Sequence, residues 1–283
     1  MEMLGVSASG KTIHDWVQKK GKESNIARHK STKALALDGT KVCAGGKKNG
    51  SDLNLGIGVE ERDNLYGRPY NQKKLLAFSV GKSWNNTIGQ CQAIKTNLII
   101  SDGENTFDNL SHNLFPNIPR QRCIWHLKRN FGWCLKEFSG LSKEQREIWS
   151  RKLNDVIYDK KSTKEAKRKY SLLIRDLKEK SYKTAAQYLE NAKEYVFTFR
   201  EKNQKKGSRH LGTSILERLM REVNRRTDVG VRWTDQGVYN LIKLRLIKYL
   251  EPAYWEDKIW SNIPKSYNYQ PMFNISKVNI RYC

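Results

Sequence analysis

Between Lys33 and Val80 the apolar side chains fall on alternate positions. Leu35 and Leu37, then Val42, mark a first strand. Leu53, Leu55, Ile57 and Val59 alternate through a second, and Leu75, Leu76, Phe78 and Val80 make a third. A period of two is the mark of a strand with one face buried. Asn86–Ile94 predicts a short helix. The run Asn97-Leu-Ile-Ile100 predicts a buried strand that delivers Asp102 to its end, where Gly103 turns the chain. A helix near 105–114, a short strand at 121–125 and a basic helix at 126–138 complete this part of the pattern.

From residue 141 the period changes. Ser142-x-x-Gln145 and Ser162-x-x-Glu165 are capping boxes, each opening an amphipathic helix. Ile148, Trp149, Leu153, Val156 and Ile157 keep helical spacing, as do Tyr170, Leu173, Ile174 and Leu177. Tyr188, Leu189, Tyr195, Val196 and Phe199 read as a third helix, so 141–210 is an all-helical insertion. A loop, Glu201–Gly207, leads to a further helix at 214–226 with the stripe Ile215, Leu216, Leu219, Met220 and Val223. At 100° per residue, Glu217 and Asn224 lie at the edge of that stripe.

The first 30 residues are polar and basic. Gly5–Thr12 fits the phosphate-loop pattern G-x-x-x-x-G-K-[ST], but only four residues precede it and no buried strand feeds its glycine. The preferred reading is the end of a helix-turn-helix. Gly5 sits in the turn, Ser7 or Ser9 caps the next helix, and Ile13, Trp16 and Val17 form its apolar side. Lys11, Thr12, His14 and Lys19 then face a groove or phosphates. The first helix of such a motif is missing, so a DNA-binding region cut short is expected; a frayed basic leader is the alternative. Gly56-x-Gly58 lies within a strand with no helix following, so it is no dinucleotide fingerprint. The expected organisation is a helix-turn-helix remnant at 1–30, a catalytic core at 31–140 and 211–255, the insertion at 141–210, and a tail at 256–283 without assigned structure.

Charge narrows the partner. Lys and Arg number 53 against 29 Asp and Glu, a formal net charge of +24. Such an excess favours a polyanion, because each cation set on a phosphate releases condensed counterions. No apolar run approaches the ~18 residues of a spanning helix, and no signal peptide opens the chain. The five cysteines are scattered and odd in number, which predicts reduced thiols. No membrane association and an intracellular location are therefore expected.

The candidate chemistry is acidic. A carboxylate at the end of a buried strand is costly unless a metal or cation pairs it. Asp102 holds such a position, and Asp38 holds another behind Ala34-Leu-Ala-Leu37. Together with Glu217 they can hold two divalent cations, Mg²⁺ or Mn²⁺, the apparatus for cutting and joining phosphodiesters. Each has a bland reading. Asp38-Gly39 and Asp102-Gly103 are also turn pairs, and Ser214-x-x-Glu217 is also a capping box. Asp108, Glu222 and Asp235 are spare carboxylates. Cys123-x-x-His126 suggests zinc, but a structural site needs four ligands, usually as two close pairs, and no second pair exists. A buried cysteine beside a histidine that bonds a phosphate or orients an acidic residue fits better. Three antiparallel strands, a helix, a strand with the second aspartate and a late helix with the glutamate give the order of an α/β ribonuclease-H-like mixed sheet. Asp38 and Asp102 then sit on neighbouring central strands, and the all-helical insertion precedes the last catalytic helix.

At these residues the chain resembles the Mutator-type (MULE-like) transposases of bacterial and archaeal insertion sequences. The match rests on Leu37-Asp-Gly39, Ser101-Asp-Gly103, Phe115-Pro116, Gln121-Arg-Cys-x-x-His126 with Arg129-Asn130, and Thr213-Ser-x-x-Glu217 ahead of Arg225-Arg226. It covers roughly residues 30–250. The resemblance implies that Asp38, Asp102 and Glu217 are the acidic (DDE) triad binding Mg²⁺, with Cys123 and His126 as signature residues beside it. It implies metal-dependent cleavage at element ends and strand transfer into target DNA. The expected partner is double-stranded DNA, both terminal inverted repeats and target, held by Lys128, Arg129, Arg225 and Arg226 together with Lys11, Thr12 and His14. A homo-oligomer on DNA in the nucleoid-containing cytoplasm of a prokaryote is expected. Family members carry an amino-terminal DNA-binding region that is mostly absent here. The rival expectations are an inactive transposase-derived DNA-binding protein and a ribonuclease-H-like nuclease that cuts without joining.

Overall fold

The alternating segments pair as one mixed sheet. The structure, a computed structural model, describes residues 10–27, 29–43, 50–63, 69–103, 112–137, 140–159, 162–202, 214–227 and 234–261. Strands β2 (Ala34–Val42), β3 (Ser51–Asp63) and β4 (Pro69–Val80) run antiparallel in succession. β6 (Ile99–Ser101) joins β2 in parallel, and β7 (Arg120–Arg122) joins β6 in parallel, giving the order β4-β3-β2-β6-β7. Two short strands, β1 (Ser31–Thr32) and β5 (Lys95–Thr96), pair separately.

The period of two sorts the sheet's faces. Ala34, Ala36, Val42, Leu53, Leu55, Ile57 and Ile100 point to one side, where they pack with helix α8 (Ser214–Thr227) and helix α9 (Asp235–Leu250). Leu35, Leu37, Ala77 and Ile99 point to the other side and pack with helix α2 (Trp84–Cys91). Gly56 belongs to this second face. A β-carbon there would lie 2.8 Å from Cys91 Sγ, so glycine lets the helix approach the strand. Burial pushes the Cys91 thiol up to about 12, consistent with an inert core sulfur.

The insertion folds as helices. α3 (Ile124–Lys136), α4 (Lys143–Ile157), α5 (Thr163–Glu179) and α6 (Lys183–Ala192) enclose a second core built on Phe131, Leu153, Tyr170, Leu173 and Leu189. Ser142 and Gln145 form the full reciprocal capping box. Ser162 accepts from the Glu165 amide, while the Glu165 carboxylate reaches forward to Arg168. The single helix expected through 188–199 is two: α6 ends at Ala192, and α7 (Thr198–Lys202) follows a break. The cause lies in β7. Arg122 N donates to Tyr195 O, and the Gln121 side-chain amide donates to Val196 O, so the sheet edge takes carbonyls from the segment between the helices.

Helix α1 (Gly10–Glu23) lies against α9. Lys243 donates to Gly21 O, and a β-carbon at Gly21 would fall 2.5 Å from Asn240 Cβ. Trp16 and Val17 join Leu244, Ile247 and Trp255 in a small cluster, so their side of α1 is covered as the pattern predicted. α10 (Pro252–Tyr254) runs into a π-helical turn, Trp255–Trp260. The Gly5 turn, most of the helix expected at 105–114, and residues 262–283 lie outside the described residues.

Candidate active site

The parallel pairing of β2 with β6 sets the geometry. Leu35 stands opposite Ile99 and Ala36 opposite Ile100. Asp38 lies in β2 two residues beyond the last paired position, Ala36, and Asp102 directly follows the end of β6 at Ser101. Asp38 shares the strand parity of Ala36, which faces α8. Asp38 is only 5% exposed, and its Oδ1 accepts from Gly39 N at 2.9 Å. Asp102 is half-buried at the mouth of the strand.

Helix α8 crosses this face. Leu216, Leu219, Met220 and Val223 are buried in the core beneath it, and Asn224 Nδ2 reaches Thr40 Oγ1 at 3.5 Å. Position 217 precedes 224 by seven residues, close to two full turns, so both occupy nearly the same side of the helix. The side chains of Glu217, Arg225 and Arg226 lie outside the described residues, as does Asp108. Among the described residues, no three His, Cys, Asp or Glu side chains stand close enough to hold a metal ion. The spare carboxylates have other partners: Glu222 meets Arg245 at 3.6 Å, and Asp235 accepts from Ser51 at 3.2 Å.

Next to Asp102 stands a basic cluster from β7 and α3. Gly103 has φ +79°, the left-handed region open to glycine, and the Arg122 guanidinium lies directly over it. Arg122 Nη2 donates to Tyr188 Oη at 3.1 Å, and the guanidinium stands 5.5 Å from the Tyr188 ring. Arg122 Nε is buried and has no hydrogen-bond partner among the described residues. The Tyr188 hydroxyl in turn lies 3.4 Å from His126 O.

The Cys-x-x-His spacing has a local explanation. Cys123 is the N-cap of α3, and its sulfur accepts from the His126 amide at 3.5 Å. The thiol is wholly buried. His126 is buried too. Its burial, with the cations Arg129 and Arg122, lowers the imidazole to about 4 against an opposing pull from Asp102. It is therefore neutral near pH 7. Lys128 lies over the Tyr158 ring at 5.5 Å, and Arg129 is exposed. On α1, Lys11, Thr12 and His14 are exposed.

Arg122 is the site residue that pattern reading missed. Its signal was the Gln121-Arg122 pair ahead of Cys123, which reads as a polar strand end. Gln121 is 1% exposed and anchors the insertion: its Oε1 accepts from Phe199 N at 2.8 Å and its Nε2 donates to Val196 O at 2.9 Å.

These features describe an α/β protein with a mixed sheet, an aspartate buried in β2, another at the end of β6, and a cationic flank. The family model for transposases of the Mutator family matches residues 82–248, more than half of the 283 residues. The chain belongs to the Mutator family of transposases. No curated protein matches it. Among the described residues, no helix is long and apolar enough to cross a membrane.

Proposed function

We propose that this transposase is of the acidic-triad class, built on a ribonuclease-H-like core of 31–140 and 211–255 with the helical insertion 141–210. It cleaves DNA at the ends of an insertion sequence and transfers the freed strand into target DNA. The observation that supports this reading is the parallel pairing of β2 with β6, with the buried Asp38 in β2 and Asp102 directly after β6. The strand order, three antiparallel strands followed by two parallel additions, supports the fold assignment.

Asp38 and Asp102 offer hard oxygen donors, which suits Mg²⁺ or Mn²⁺; the nearby sulfur of Cys123 is buried and caps a helix. Glu217 is the proposed third ligand. When bound, such cations stabilise the attacking and leaving oxygens of the phosphodiester. Arg122 supplies positive charge beside the carboxylates and is suited to holding a phosphate oxygen. His126, kept neutral, acts as a hydrogen-bonding partner rather than a competing cation. Lys128 and Arg129, with Arg225 and Arg226, extend the cationic surface for the DNA backbone, and Lys11, Thr12 and His14 add contacts from α1.

The test is a joining assay with the full chain, Mg²⁺, and a duplex carrying the element's terminal inverted repeats beside a plasmid target. Nicked ends plus covalent joined product are expected, both lost in Asp102→Asn with DNA binding intact. Cleavage without joined product would mean a nuclease. Binding without cleavage by the unaltered chain would mean an inactive DNA-binding relative.

A further inference from the structure

Helix α3 carries an outward stripe that the acidic site does not use. Trp125, Arg129 and Trp133 follow one another at four-residue spacing, which stacks them along one side of the helix. The Arg129 guanidinium stands 4.5 Å from the Trp125 ring and 4.9 Å from the Trp133 ring, between the two. Trp125 is half-buried against the sheet core, but Trp133 is 53% exposed although Arg129 already covers part of it. At 1.5 Å per residue the stripe spans ~12 Å. It begins beside His126, which feels the charge of both Asp102 and Arg129.

A lone exposed aromatic needs no explanation. This one has two further features. Its ring extends a cation–aromatic stack that starts at the acidic site. Its neighbours on α3, Gly132 and Lys136, also line a groove between α3 and α4 with Lys143, Arg146, Glu147 and Ser150, three cations against one carboxylate. Single-strand binding combines those two elements: an aromatic face on which a base stacks, and a cationic track for the phosphates. A duplex keeps its base faces covered, so the Trp133 ring is useful only against a base that has left its pair. The rival occupant of an exposed tryptophan, a protein face, is disfavoured by the cations flanking it.

We propose that Trp133, backed by Arg129, is a stacking site for an unpaired base of DNA, with Lys136, Lys143 and Arg146 following that strand's phosphates. The inference rests on the transposase reading above, because strand ends opened near Asp102 would supply the unpaired base.

The test measures equilibrium binding of the full chain to three probes of equal length: a single strand, a blunt duplex, and a duplex with a short unpaired end. Trp133→Ala is expected to weaken binding of the single strand and the unpaired end by about five- to a hundredfold, the loss of one base stack, and to change blunt-duplex affinity less than twofold. Trp133→Phe should recover most of the loss. Arg129→Lys, which keeps the charge but not the plane, should weaken binding of the same two probes while Trp133 is intact. Circular dichroism controls for folding. Equal losses on all three probes, or none, overturn the proposal. So does unchanged DNA binding accompanied by loss of self-association in light scattering, which would make the face a protein interface. Because binding is read without cleavage, an unaltered chain that binds but never cuts would sink the catalytic reading and leave this result readable.

Discussion

Arg122 lies across Gly103 so closely that a β-carbon on residue 103 would fall 0.7 Å from its Nη1 and 1.9 Å from its Cζ. The backbone there also has positive φ, at +79°. Glycine is thus required twice, for the turn after β6 and for the arginine laid over it. Gly103→Ala should strain the turn and expel the guanidinium. Strand cleavage should fall at least tenfold, with stability lowered by about 1–2 kcal/mol from the backbone alone. In a double-mutant cycle, Arg122→Ala should cost much less activity in the Gly103→Ala background than alone. Additive losses would show that the two residues act separately.

Gln121 carries the junction between sheet and insertion. Three hydrogen bonds radiate from its side chain, to Arg122 O, Val196 O and Phe199 N. Gln121→Leu fills similar volume but leaves buried peptide groups unpaired, at a cost of about 2–5 kcal/mol. Urea unfolding should report that loss, and the Phe199 amide should exchange faster. A stability change under about 0.5 kcal/mol would mean that the junction is held elsewhere.

The low imidazole of His126 has a sign. The folded state binds its proton only near pH 4, whereas an unfolded chain binds it near the ordinary 6.5. Between those values the unfolded state holds more protons, so stability falls as pH drops from 6.5 toward 4, by up to about 3 kcal/mol. The groups facing it are Arg129 and Arg122, which oppose protonation, and Asp102, which favours it. His126→Gln should flatten this part of the stability–pH curve. An unchanged slope in the variant would assign it to other groups.

Duplex binding should be steeply salt-dependent. With +24 formal charge and ~6 phosphate contacts, affinity should drop about a thousandfold between 50 and 200 mM salt. A flat titration would contradict electrostatic capture. Arg129→Ala should lower the slope by about one contact.

Much of the core was legible because Leu35, Leu37, Leu53, Leu55 and Ile57 each face a single environment, and alternation reports that directly. Helix α9 was not. It lies between β4 and α1, so Val238, Ile242 and Leu246 pack on the sheet core while Leu244 and Ile247 pack on the α1 side. A helix apolar on two sides shows no amphipathic stripe. The burial of Asp38 in β2 and the place of Asp102 at the end of β6 were legible as two acids behind two apolar runs. Arg122 was not, because its neighbours Gly103 and Tyr188 are 19 and 66 positions away in the chain. Nor was the role of Cys123, since a thiol is outside the usual set of N-capping residues.

Cys123 belongs to the sheet core and Ile124 to the core of the insertion. The chain passes from one core to the other at this step, with Arg122 on one side and His126 a turn beyond, and Gln121 ties the two cores again through Val196 and Phe199. DNA pulling on the far helices would therefore act on Arg122 and His126, the two groups flanking Asp102, while Asp38 stays in β2 between β3 and β6.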